Sequence, residues 1–214
     1  MSLDSVLAQL ASSSGHNDQS ANIGLAKSLC RDEDHTAIAH VVGILQTGSK
    51  PQRKDAIKVL YEVGARNPGL IAPFTDVFFE TMESRDNRIV WGALMALAKI
   101  SSVQPERVAD RMHLVLTAAD NGSVIAKDQA IEILAALKSL PGHAKVANDA
   151  LFDRLRTAAT NQLPKYSEIT AASLLPGEKE EFLSIIEMRL TELMPESKRR
   201  RLHKVEKQVE SSKS

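Results

Sequence analysis

The stretch 84–100, SRDNRIVWGALMALAKI, opens with a polar turn and an Arg and continues as a run of small and apolar residues around the only tryptophan, Trp91. Its apolar residues recur at i, i+3, i+4 and i+7, the period of a helix with one buried face. Two sister segments lie at equal distances. AIKVL (56–60), ALMAL (93–97) and AIEIL (130–134) stand 37 residues apart, with Ala56, Ala93 and Ala130 in one column and Leu60, Leu97 and Leu134 in another. A second set keeps the same step: FTDVFFETM from Phe74, RMHLVLTAA from Arg111 and NDALFDRLR from Asn148. Each unit reads as helix A, a turn bearing Pro or Gly, helix B and a polar turn. An earlier, degenerate unit fits the frame, with 20–30 as helix A and 36–46 as helix B.

Two-helix repeats of this length build α-solenoids. One hairpin cannot bury both apolar faces, so stacked copies bury them against each other. The expected fold is all-α: a right-handed solenoid of about four helical hairpins, over 18–50, 51–86, 87–123 and 124–163. A capping segment at 164–194 follows, with Phe182, Ile185, Ile186, Leu190 and Leu193 on one side of an amphipathic helix, and then a basic tail at 195–214. An armadillo unit would need a third helix, and none is visible in the pattern.

Composition agrees. Of 214 residues 43% are hydrophobic but only 4% aromatic, so the core rests on Leu, Ile, Val and Ala. Lys plus Arg and Asp plus Glu both total 27, a balance that demands no polyanionic partner. The single cysteine, Cys30, excludes an intrachain disulfide and fits a reducing compartment; with no leader and no long apolar run, a cytoplasmic location is expected.

DNRIVWGALMALAKI resembles the first helix of a HEAT-like repeat, in which an Asp before the helix and a basic residue near its start precede an AxxAL run. Asp86, Arg88, Gly92 or Ala93, Ala96 and Leu97 match; Arg53, Ala56 and Leu60, and Lys127, Ala130 and Leu134, match more loosely. The resemblance covers roughly residues 18 to 163. It implies a scaffold that presents a surface to protein partners. Two HEAT-like groups are enzymes or enzyme-like, alkylpurine DNA glycosylases and bilin lyases of light-harvesting antenna proteins, but none of their functional residues can be placed on this chain.

In such stacks helices B usually line the concave surface. Their polar positions here include Asp76, Glu80 and Glu83, then Asp110, His113 and Thr117, then Asp153, Arg154 and Arg156. The expected partner-binding residues are Trp91, Phe79, Asp76, Glu80, His113, Arg154 and Arg156. Trp91 shares its column with the polar Lys54 and Asp128, so its ring either packs against a neighbour or anchors a partner. The tail holds seven Lys or Arg and three Glu, with Lys198, Arg199, Arg200 and Arg201 as possible basic contacts. That cluster supports the alternative, a nucleic-acid-binding or DNA-repair protein of the HEAT-like glycosylase kind, although a single four-residue cluster is a weak anchor to DNA, where several phosphate contacts are normally needed.

Nothing in the sequence points to a catalyst, cofactor or metal. The histidines, His16, His35, His40, His113, His143 and His203, lack zinc-protease spacing, and RDEDHT (31–36) reads as a helix start capped by Asp32 or Asp34. No GxSxG or GxxxxGK motif occurs, and Cys30 sits on an apolar face. The expected role is therefore a non-enzymatic protein-binding scaffold.

Overall fold

A computed structural model describes residues 1–13, 19–192 and 194–212, and among these every regular element is helical. Two residues named above, His16 and Leu193, lie outside them, as does Lys213, one of the seven Lys or Arg of the tail. The chain divides into two compact units, Met1–Ala130 and Ile131–Ser214. The first holds α1 (Leu3–Gln9), α2 (Ser20–Arg31), α3 (His35–Thr47), α4 (Lys50–Arg66), α5 (Thr75–Thr81), α6 (Asn87–Ser101), α7 (Glu106–Ala109) and α8 (Met112–Asp120). Helix α9 (Val124–Leu137) spans the division, and the second unit holds α10 (Pro141–Thr157), α11 (Leu163–Ala172), α12 (Lys179–Leu190) and α13 (Glu196–Ser211).

The helix starts follow local chemistry. Asp34 accepts from the Ala37 N–H at 2.9 Å at the head of α3, and Asp86 accepts from the Arg88 N–H at 3.0 Å at the head of α6. Ser49 and Gln52 form a capping box on α4, with the Ser49 N–H donating to Gln52 Oε1 at 2.9 Å and Pro51 in the first turn.

The 37-residue step reappears as burial. Ile57, Leu94 and Ile131 form one fully buried column on helices A, and Val63, Ile100 and Leu137 form another. On helices B the column is Val41, Phe78, Val115 and Phe152, none more than 1% exposed. Within the first unit α2, α4 and α6 pack side by side, while α3 lies on α4 and α5 on α6. The α4–α6 approach is close. A Cβ added at Gly92 would stand 2.6 Å from Ile57 Cγ1, so only glycine fits there without displacement.

One expectation needs correction. In the units 51–86 and 87–123 helices A and B are not joined by simple turns: short helical turns at Pro68–Leu70 and Ala72–Phe74 fill the α4–α5 connection, and α7 fills the α6–α8 connection, whereas three residues join α2 to α3 and α9 to α10. Pro68, Pro73 and Pro105 explain them. A proline fixes φ near the helical value and lacks the N–H that a first turn leaves unpaired. Ile71 and Val108, again 37 residues apart and both 0% exposed, fasten these turns to the core. Each of these two units thus carries a third, short helical element, a step from the two-helix towards the armadillo pattern.

The N-terminal segment is tied in by buried polar groups. Asp55, on α4, accepts from the Ser12 N–H and from Asn22 Nδ2, both at 2.7 Å, and Asn22 Oδ1 accepts from the Ala11 N–H at 3.0 Å. Full pairing is what makes such burial tolerable.

After α10 the second unit departs from the repeat. Phe182, Ile185, Ile186 and Leu190 are the buried apolar side of α12, and Leu202, Val205 and Val209 are the buried side of α13, which packs on α11 and α12. Charged groups complete this unit. Arg189 is 4% exposed; it donates to the carbonyl oxygens of Leu155 and, at 2.6 Å, Ala158, and it pairs with Glu192. It thereby caps the end of α10. Lys138 is 3% exposed, donates to Asn148 Oδ1 at 2.7 Å and pairs with Glu178. Among the described residues no helix is long and apolar enough to cross a membrane.

Candidate functional site

A cavity of about 320 Å³ opens in the first unit where α5, the start of α6 and α8 meet. Its walls come from consecutive helices B: Phe79 and Met82 on one side, Leu114 and Ala118 on the other, with Val90 from α6 between them. Leu114 remains 38% exposed at the opening. The repeat explains the polar residues beside it. Asp76, Glu80 and Glu83 are spaced i, i+4, i+7, so they form one stripe, and the next unit places His113, Thr117 and Asp120 at the same positions.

Asp76 pairs with Arg111, whose guanidinium carbon lies 4.0 Å from the centre of the Phe79 ring. That cation–π contact clamps α5 to the start of α8. Phe79 is 4% exposed. Its ring therefore does not project into solvent but forms part of the cavity wall, with Arg111 over one face. Glu80 and Glu83 are exposed and have no ion-pair partner among the described residues. His113 is exposed on α8.

Trp91 is half-buried and stands on α6 with its ring 5.7 Å from that of Tyr61 on α4, tilted by 46°. Lys58 Nζ lies 4.7 Å from the Tyr61 ring. Trp91 thus belongs to the α4–α6 contact and does not line the cavity. In the second unit Arg154 is half-buried on α10, and Arg156 bonds to Asp153 at 2.9 Å and pairs with Glu181.

A second cavity, of about 580 Å³, lies between the turn that starts α4 and the turn that starts α6. Lys50, Arg53, Arg85 and Asp86 line it. Burial opposes ionisation of Asp86, but the hydrogen bond from Lys54, the Arg88 N–H and the nearby charges of Lys54 and Lys50 outweigh it, so its carboxyl titrates below the usual range. Sequence reasoning missed both cavities. The 37-residue step placed α5 beside α8 in principle, but the depth between them depends on side-chain volumes in three dimensions.

The basic cluster is largely occupied inside the second unit. Arg199 donates to the carbonyls of Leu190 and Glu192 at the end of α12, and Arg201 grips Glu168 of α11 through two bonds of 2.9 and 2.7 Å. Lys198 reaches the Asn161 carbonyl at 3.5 Å, and Arg200 lies 3.9 Å from Glu196. Lys204 and Lys207 are exposed. Cys30 is half-buried with Sγ 3.8 Å from the Val63 carbonyl oxygen, and burial pushes its thiol pKa up. Among the described residues no group of His, Cys, Asp and Glu is placed to hold a metal ion.

No protein-family model matches the chain, and no curated protein matches it. Solved structures do. A designed armadillo repeat protein in complex with the peptide (KR)4 superposes with a TM-score of 0.67 at 16% identity, covering 98% of this chain and 99% of that one. An engineered protein gives 0.66 at 16% identity over 99% and 98%. The archaeal HEAT-like repeats protein from Thermococcus onnurineus NA1 gives 0.57 at 12% identity, again over 99% and 98%. Together with the helix pairs and their buried columns, these likenesses establish a HEAT/armadillo-like repeat fold, an all-α solenoid.

Proposed function

We propose that this chain is a non-enzymatic, cytoplasmic protein-binding scaffold, and that the cavity between α5, α6 and α8 is where it grips its partner. The observation that carries the reading is an apolar cavity with exposed Leu114 at its mouth and the unpaired Glu80 and Glu83 beside it. An extended segment fits this surface if it places an apolar side chain in the cavity and a Lys or Arg beside the acidic stripe. Burying one such side chain yields about 2 kcal/mol, and the flanking charges add selectivity more than affinity. The likeness to a designed repeat protein that holds a (KR)4 peptide supports a basic segment as the charged part of the ligand.

A display library of random peptides, selected on the full chain, tests this. The enriched peptides should pair an apolar residue with Lys or Arg and bind Leu114→Asp at least tenfold more weakly. Peptides that bind Leu114→Asp and the parent protein equally would remove the cavity from the mechanism.

A further inference from the structure

The two cavities of the first unit are neighbours: Ser84 and Asn87 line both. The larger one has the opposite character from its apolar neighbour. Lys50 and Arg85 are exposed at it, and Arg53 is half-buried with its Nε donating to the Leu45 carbonyl at 2.8 Å. That bond holds the Arg53 guanidinium in place before any ligand arrives, which lowers the ordering cost of binding. The one carboxylate in the lining, Asp86, offsets these three cations only in part. Lys54 neutralises it at 3.0 Å, and its other oxygen accepts the Arg88 N–H. The N-terminal turns of α4 and α6 are already capped by Ser49, Gln52 and Asp86, so an anion here would be held by side chains rather than by helix ends.

Three cations against a single carboxylate that Lys54 already pairs, in a space much larger than one carboxylate needs, match a group that carries close to two negative charges and several acceptor oxygens. We propose that this cationic cavity receives the phosphate of a phosphorylated side chain on the same segment that seats its apolar residue next door. The inference rests on the docking reading above and adds a condition to it: the partner is bound best when phosphorylated beside its apolar anchor.

Two calorimetric titrations of the full chain test it at fixed ionic strength. The first uses inorganic phosphate alone. Saturable binding is expected, weakened roughly tenfold by Lys50→Gln or by Arg85→Gln, which remove about one charged contact each; Lys204→Gln, exposed on α13 of the second unit, leaves it unchanged. Both lysine and arginine are exposed, so the variants should fold, and circular dichroism checks this. No phosphate binding, or equal binding by the variants, overturns the proposal. The second compares a library-selected peptide with the same peptide phosphorylated on a Ser or Thr near its apolar residue. A gain of about tenfold that vanishes in Lys50→Gln supports the proposal. Phosphate binding with no gain for any phosphorylated peptide overturns it, because the anion would then not be carried by the docked segment. Failure of the docking reading itself shows elsewhere, as peptides indifferent to Leu114→Asp.

Discussion

The two units are held together by different means. The first is a register: the same apolar positions return every 37 residues, and close contacts between α4 and α6 depend on a glycine meeting an isoleucine. The second keeps the columns through α9 and α10 and then relies on buried cations that cap or pin the ends of helices. One column shows the change. Gly64, Ser101 and Lys138 stand 37 residues apart, and the two later members are almost fully buried. A small residue suits a crowded position inside the stack. A lysine there needs Asn148 and Glu178 to receive its ammonium group. Where repetition stops, generic burial no longer completes the structure, and particular polar partners take over.

The sharpest way to break this contrast is Arg189→Leu. It removes the caps on the Leu155 and Ala158 carbonyls and strands Glu192, so urea unfolding should show a loss of about 3 kcal/mol. A neutral result would mean that α12 is held by its apolar side alone. Lys138→Met should cost about 2 kcal/mol, since Glu178 and Asn148 Oδ1 lose their donor, and adding Glu178→Gln should recover part of the loss in a double-mutant cycle. Full additivity would sever the proposed pair. In the first unit Gly92→Ala sets overpacking against Ile57 Cγ1 against the helix propensity of alanine; a net loss of about 1 kcal/mol is expected, and it should disappear in an Ile57→Ala background, which removes that Cγ1. A stabilised Gly92→Ala would show that α4 and α6 part easily.

The smallest effect is at the turn before α6. The folded-state pKa of Asp86 is depressed, so its contribution to stability is complete above the unfolded value near 4 and is lost as pH falls through the folded value. The pair with Lys54 is partly exposed, which limits the contribution to less than about 1 kcal/mol. Asp86→Asn should flatten the acid side of the stability profile, and an unchanged profile would count against the Lys54–Asp86 link.

The fold was legible because periodicity survives sequence divergence. Ala56, Ala93 and Ala130 placed helices A, and Phe74 and Arg111 placed the starts of α5 and α8 to within one residue, whereas Asn148 falls inside α10, which starts at Pro141. The short helical turns were less legible: their prolines read as breakers, whereas Ile71 and Val108 fold those breakers into the core. The site was half legible. Asp76, Glu80 and His113 are exposed on α5 and α8, as polar residues of an amphipathic helix should be, yet Phe79 reads identically in sequence whether it projects or lines a cavity. Only the position of Arg111 and the gap between α5 and α8 distinguish the two. The basic run 198–201 shows the same limit, since nothing local reveals that Arg201 meets Glu168 or that Arg199 caps α12.

The central claim is that a partner segment docks where α5, α6 and α8 meet. Amide chemical-shift mapping of the full chain with a library-selected peptide measures this directly. The account predicts that the largest shifts fall on residues 79–90 and 114–122 and disappear in Leu114→Asp. Shifts centred elsewhere, or a pattern that survives Leu114→Asp, would contradict it.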